Sequence, residues 1–269
     1  MPGSGSERLD LLLVQRGLAP TRAKAQALIL AGRVTSEGKR LDKPGLRLAS
    51  SVELEVAEGR RFVGRGGEKL AGALESFSIE VDGCSALDVG ASTGGFTQAL
   101  LLAGARRVVA LDVGRGQLDW SLRQDPRVHV LEGINARQLT PAMLPWAPSL
   151  AVVDVSFISL RLVLPAVVEC LAPGGELVAL VKPQFEVGRG QVGRGGIVRD
   201  RTLHARVLVE LHGFAFARGW GIADACASRL RGAQGNQEYL VHLLPGRPGL
   251  HEEPFERTVQ RITQDEESS

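Results

Sequence analysis

The sequence predicts an α/β protein with a doubly wound, mostly parallel sheet whose last strand is antiparallel, preceded by a small α+β module. Three observations carry this. Short apolar runs alternate with helix-patterned segments between residues 87 and 183, as in strands joined by crossover helices. The first of those runs leads into a glycine-rich turn, GASTGG. The beginning of the chain instead carries two short helical patterns, then turn-punctuated strands and an excess of basic residues.

At 269 residues and 44% hydrophobic, the chain can bury one good-sized core with a small extra module. The net charge is only +2, so affinity for nucleic acid has to come from where the charges lie. Cys84, Cys170 and Cys226 are widely spaced, which supplies no disulfide framework and fits a reducing compartment. The five histidines, His129, His204, His212, His242 and His251, are equally dispersed, and no metal is expected. The opening MPGSGSERLD has no signal pattern, and no apolar run approaches the roughly 18 residues of a membrane span. A cytoplasmic chain without a membrane partner is expected.

Taken in order, residues 7–17 place Leu9, Leu12, Leu13 and Arg16 at helical spacing and stop at Gly17. A second helix opens at Thr21, a good N-cap, and closes at Gly32. Turn signals at Glu37-Gly38 and Pro44-Gly45, with alternation at Val52, Leu54 and Val56, predict short strands. Between Val14 and Arg47 the bases Arg16, Arg22, Lys24, Arg33, Lys39, Arg40, Lys43 and Arg47 face only two acids, Glu37 and Asp42. A solvated face has this composition, and so does a surface that follows phosphates and releases their counterions. A domain at 1–59, a linker at 60–64 and a second domain at 65–269 are expected.

The second domain opens with a helix, GGEKLAGALESFSI, before the strand at 87–90, a helix from Gly94 and a strand at 108–113. Further strands are expected at 127–133, 150–160 and 176–183, with a helix at 161–171 between the last two. A long helix at 200–218 precedes GIADACASRL and the closing strand EYLVHLL. The ligand cleft of such a sheet lies at the carboxyl ends of its strands. The tail from Pro245 is read as a short helix with a frayed acidic end.

The turn spaces Gly90, Gly94 and Gly95 as G-x-x-x-G-G, which is not the G-x-G-x-x-G of dinucleotide binding. Asp112 ends the second strand, where a carboxylate accepts ribose hydroxyls, and Asp88 lies in the first strand beside the same cleft. Acids at both places suit a cationic nucleoside without phosphates, such as S-adenosylmethionine. Asn135 follows the third strand, facing an adenine or serving as a turn asparagine. Asp154 sits among apolar residues in AVVDVSF, and burying a lone carboxylate is costly, so it belongs at a cleft. Lys182 ends the fifth strand, and Glu238 opens the last one, whose start lies at the same rim if it runs antiparallel. Lys69 is the fourth ionisable candidate. A structural ion pair and exposed surface charges explain each of these singly; convergence on one cleft rim favours catalysis. The loop FEVGRGQVGRGG after Lys182, with Arg189 and Arg194, is expected to be a mobile flap touching RNA phosphates, or else a loose connection with incidental charge.

Residues 7–58, with RLDLLLVQRGLAPTRAKAQALILAGRV and GKRLDKPG, resemble the small RNA-binding domain named after ribosomal protein S4, which makes RNA the expected partner. Nearly the whole chain resembles the TlyA family of cytoplasmic ribosomal-RNA 2'-O-methyltransferases, often labelled hemolysins. The segments that carry the likeness are GRGGEKL, DVGASTGGFT, VDVSFISL, LVKPQFEVG and GNQEY. The resemblance implies a Rossmann-like class I methyltransferase fold behind an S4-like domain. It also implies S-adenosylmethionine as cofactor, and ribosomal RNA or ribosomal subunits as partner, with a cytidine ribose as acceptor. The family's Lys-Asp-Lys-Glu tetrad falls on Lys69, Asp154, Lys182 and Glu238. The implied cofactor set is Asp88, Gly90, Ser92, Thr93, Gly94, Gly95, Phe96, Asp112 and Asn135. The implied RNA-binding set is Arg16, Arg22, Lys24, Arg33, Lys39, Arg40, Arg65, Arg189 and Arg194. The family's Arg-x-Trp-Val linker reads Arg60-Arg61-Phe62-Val63, keeping an aromatic ring and losing the indole N–H. Lys182 removes the hydroxyl proton only if transiently neutral; otherwise it orients the hydroxyl.

Three rivals fit less well. A base N-methyltransferase would carry an Asp/Asn-Pro-Pro-aromatic run where this chain reads DVSF. A pure RNA-binding protein has no use for four converging ionisable residues, and a pore former needs an apolar span or an obvious amphipathic helix.

Overall fold

Alternate residues of the apolar runs face opposite sides of one seven-stranded sheet in the computed structural model, which describes residues 6–57, 62–188, 190–232 and 234–264. Two units divide the chain, Met1–Arg61 and Phe62–Ser269. Residues 62–64, expected within the linker, pack with the second unit: Phe62 is buried against Gly67, and Val63 N donates to Gln98 Oε1. Arg60 and Arg61 lie outside the described residues.

In the first unit β1 (Ser6–Arg8) pairs antiparallel with β4 (Arg47–Ala49). The helices α1 (Leu9–Gln15) and α2 (Arg22–Leu30) follow β1, and α2 is capped by the Thr21 hydroxyl, which accepts from Lys24 N at 3.2 Å. A second small antiparallel sheet has the order β3 (Lys39–Leu41), β2 (Val34–Ser36), β5 (Glu55–Val56). Leu9, Leu12, Leu13, Ala25, Leu28, Ile29 and Val34 form the core. Residues 7 and 8, expected as helix, are strand because Glu7 and Arg8 pair with Leu48 and Arg47. Asp10, in the first turn of α1, is buried and accepts from Arg8, Arg22 and Gln26. The Arg8 hydrogen bond, ahead of the other two, holds its carboxyl well below the usual range.

The second unit begins with α3 (Gly66–Ser76) and then alternates β6 (Ser85–Val89), α4 (Gly95–Leu102), β7 (Arg107–Asp112), α5 (Trp120–Arg123) and β8 (Val128–Glu132). It continues through β9 (Leu150–Val153), α6 (Leu160–Glu169), β10 (Glu176–Val181), α7 (Pro183–Glu186) and α8 (Arg201–Phe216). The hairpin β11 (Trp220–Ala227) and β12 (Tyr239–Pro245), then α9 (Glu252–Gln264), complete it. The strand order is β11-β12-β10-β9-β6-β7-β8, with β12 antiparallel to both neighbours and the other internal pairings parallel. This is the expected doubly wound sheet with an antiparallel last strand.

Leu87, Val89, Val109, Ala151, Val153, Ala179 and Val181 face one side, packed beneath α6, α8 and α9. Ala86, Val108, Ala110, Val152, Val178, Leu180 and Leu240 face the other, beneath α3 and α4. Because side chains alternate with period two, Asp88, Asp112, Asp154, Lys182 and Glu238 continue the α3 and α4 side of their strands. The fourth strand is shorter than expected: β9 stops at Val153, and 154–159 forms an irregular connection in which Phe157 takes φ 64°.

Candidate active site

The chain reverses direction across the sheet between β6 and β9, so the two adjacent strand ends diverge there and leave a crevice. Gly90 ends β6 with φ 89°, and a Cβ at that position would lie 2.3 Å from the backbone oxygen of Asp154. Gly95 likewise lets the start of α4 abut the start of α3, since a Cβ there would lie 2.9 Å from Gly67 N. Gly90→Ala is therefore expected to lower stability by about 2 kcal/mol or more, from backbone strain and overpacking together. A denaturant midpoint within error of the parent would refute that packing argument.

A cleft of about 500 Å³ opens at the crevice, lined among others by Asp112, Gln117, Asn135, Ser156 and Phe157. A smaller cavity of about 130 Å³, lined by Arg65, Gly66, Thr93, Gly95 and Phe96, shares Gly90, Ser92 and Asp154 with it. The Asp112 carboxylate accepts from Ser92 N at 2.8 Å and from Gly114 N at 2.7 Å, which fixes its plane at the edge of the cleft. Asn135 lines the cleft and accepts from Arg137 N through Oδ1, which is the turn role. Asp88 differs from expectation, being 0% exposed rather than at the cleft surface. It faces α4, where Thr97 Oγ1 donates to its Oδ2 at 2.6 Å, while Oδ1 has no hydrogen-bond partner among the described residues. Burial pushes its carboxyl up to about 7; the Thr97 hydroxyl opposes that rise, and the nearby Asp154 and Asp112 add to it. Asp112 and Asp154 thus line the cleft with carboxylate oxygens that favour a cation.

Two ion pairs stand at the same rim. Lys182 Nζ lies 2.6 Å from Asp154 Oδ1 and donates to Ser156 Oγ at 2.8 Å. Lys69, 8% exposed, donates to Glu238, 3% exposed, in a buried pair. Val181 pairs with Tyr239, so one further step of the antiparallel register sets Lys182 opposite Glu238. On α3 a Cβ at Gly66 would lie 3.7 Å from Asp154 Oδ2, and Lys69 follows on the same helix face. Lys69, Asp154, Lys182 and Glu238, far apart in sequence, are thereby gathered at one end of the sheet. Glu238 immediately precedes β12 instead of opening it.

The basic residues divide. Arg16 donates to Ser50 O and Val52 O, Arg22 to Asp10, and Arg33 to Ala57 O, so these three guanidiniums are oriented by the first unit itself. Lys24, Lys39 and Arg40 are exposed. In the second unit Arg65 donates to Arg231 O at 2.6 Å, and Arg194 is exposed. Arg189 lies outside the described residues. The foot of the expected flap is anchored: Asn236 accepts from Val198 N at 3.0 Å and donates to Gly196 O at 2.9 Å.

Sequence reasoning missed Ser156, Gln117 and Phe157 as cleft residues. Ser156 follows Asp154 in the irregular connection after β9, where strand alternation no longer applies. Phe157 was not open to prediction, because its 89% exposure follows from an irregular backbone.

With that geometry in place, the comparisons with known proteins are specific. The FtsJ-like methyltransferase family matches residues 62–244, and the S4 domain matches residues 7–54. The 16S/23S rRNA (cytidine-2'-O)-methyltransferase TlyA of Mycobacterium tuberculosis is 51% identical, over 88% of this chain and 89% of its own. The chain belongs to the TlyA family of FtsJ-like methyltransferases. Another relative, the 23S rRNA (cytidine-2'-O)-methyltransferase TlyA of Campylobacter jejuni, is 34% identical over 76% of this chain and 79% of its own. A hemolysin-labelled chain of known structure from Streptococcus thermophilus superposes with a TM-score of 0.74 at 42% identity, covering 98% of each chain. The TlyA-family fold expected from the sequence motifs is thus the fold observed. As for the hemolysin label, no helix among the described residues is long and apolar enough to cross a membrane. No metal-holding group of His, Cys, Asp and Glu occurs among those residues.

Proposed function

We propose that this chain methylates a ribose 2'-hydroxyl of ribosomal RNA, that of a cytidine, using S-adenosylmethionine, in the cytoplasm where ribosomal subunits are found. The observation that carries the reading is the pair of lysine–carboxylate contacts, Lys182 with Asp154 and Lys69 with Glu238, at the rim of an acid-lined crevice. A cationic nucleoside fits the donors present. Asp112 offers carboxylate oxygens to ribose hydroxyls, and Gly90 and Gly95 let the turn pack closely on Asp154 and α3 at the edge of the cleft. The turn after β6 spaces its glycines as G-x-x-x-G-G, not as the G-x-G-x-x-G that follows the first strand of a dinucleotide-binding domain. The names of the TlyA relatives support ribosomal RNA and cytidine, and the S4 domain supports RNA docking.

When bound, S-adenosylmethionine supplies an electrophilic methyl group. The chain's residues then supply position and a route for a proton. Lys182 donates one ammonium hydrogen to Ser156 and is ion-paired with Asp154, and its remaining donor capacity can reach a ribose oxygen. Either Asp154 or a transiently neutral Lys182 would take the hydroxyl proton at this rim. Glu238 holds Lys69 beside them, so that the rim keeps balanced charge in a buried setting.

Calorimetry should give a measurable heat of association with S-adenosylmethionine, and rRNA from cells lacking the gene should lose a ribose methyl at one or more cytidines. A methyl lost from a base instead, or no heat, would reject the proposal.

A further inference from the structure

Glu186 closes α7, four residues after Lys182, yet its carboxylate serves another segment. Ser159 Oγ donates to its Oε2 at 2.6 Å and Leu160 N donates to its Oε1 at 2.7 Å, both at the start of α6. Arg161 Nε stands 3.9 Å from Oε2, and the Glu186 side chain is 5% exposed. On the outer side of the same junction, the Phe157 and Phe185 rings meet with centroids 4.9 Å apart. Two bridges, one polar and buried and one aromatic, therefore join the connection that carries Asp154 to the turn that follows Lys182.

Capping α6 does not by itself require Glu186. Ser159 already serves as N-cap, its Oγ accepting from Arg161 N at 3.2 Å. A buried carboxylate is costly unless its hydrogen bonds are met, and here they are met only while the two segments keep this spacing. Burial pushes the Glu186 carboxyl up, the Ser159 hydroxyl, Leu160 N–H and Arg161 pull it down, and Glu210 adds to the rise. We propose that Glu186 is a positioning residue that sets the distance between Asp154 and Lys182 for methyl transfer. The inference rests on the function proposed above.

The test compares Glu186→Ala, Glu186→Gln and Ser159→Ala with the parent chain on ribosomal subunits. Glu186→Ala is expected to lower kcat by about 30- to 100-fold, the scale of an ångström-sized misplacement, with KM and S-adenosylmethionine affinity within about threefold. Glu186→Gln keeps an acceptor for Leu160 N, loses the one for the Ser159 hydroxyl, and should fall between. Its double variant with Ser159→Ala should be no slower than the worse single, since both cut one link. A crystal structure of Glu186→Ala should show Lys182 Nζ farther than 2.6 Å from Asp154 Oδ1. An unchanged separation, or parental kcat, overturns the positioning role, as does a kcat loss that merely follows lost cofactor affinity. A parent chain that transfers no methyl group to RNA would instead remove the proposed function, and the crystallographic distance would still decide the placement.

Discussion

Lys182→Ala is expected to lower kcat for methyl transfer by about a thousandfold, within the range for a positioned proton-handling group, while S-adenosylmethionine binds with nearly parental affinity. The separation of the two effects follows from geometry: Lys182 contacts Asp154 and Ser156 at the rim and lines neither of the two cavities. Asp154 retains partial solvent contact, so losing its partner should unsettle the rim without unfolding the chain. Lys182→Arg distinguishes the two roles left open by the sequence. A guanidinium stays protonated and still donates, so substantial residual turnover indicates orientation of the hydroxyl, and turnover as low as in the alanine variant indicates proton removal. Parental turnover by Lys182→Ala would sink the assignment. Single-turnover kinetics and calorimetry on the same preparations give both readings.

The buried Lys69–Glu238 pair yields the largest expected effect on stability. Lys69→Met leaves the Glu238 carboxylate buried without its counter-charge, which should cost about 3–5 kcal/mol and lower Tm by roughly 10 °C. Adding Glu238→Leu removes the orphaned charge and should recover most of that loss, because an apolar pair of similar volume avoids desolvating two ions. Activity should not return with stability. If the double variant loses as much stability as the two single variants summed, the pair is not energetically coupled; if it regains turnover, the pair has no part in the reaction. Thermal unfolding and methyl-transfer assays on the four proteins of the cycle decide both points.

Alternation explains why so much of this site was legible in the sequence. Asp154, Lys182 and Glu238 each fall beside an apolar strand run, in step with Val152, Leu180 and Leu240, residues that face α3 and α4. A reader who accepts a doubly wound sheet can thus place three of the four charges on one side and at one end. Lys69 is legible only through family resemblance, because one lysine on an amphipathic helix has no distinguishing signal. Asp88 was misjudged because alternation fixes its side of the sheet but not its depth: Thr97, on the next helix, covers it. The end of β9 at Val153 and the left-handed Phe157 depend on contacts with α7 that no local pattern encodes. Glu186 was hidden for the same reason, its partners lying in the connection after another strand.

The place of β12 also ties the rim to the completed sheet. This late segment of the polypeptide lies between β10 and β11, and its place there brings Glu238 to Lys69. Without it α3 presents an ammonium with no counter-ion, and half of the rim's charge is missing. The charge balance of the rim is therefore a property of the closed sheet and not of any one strand.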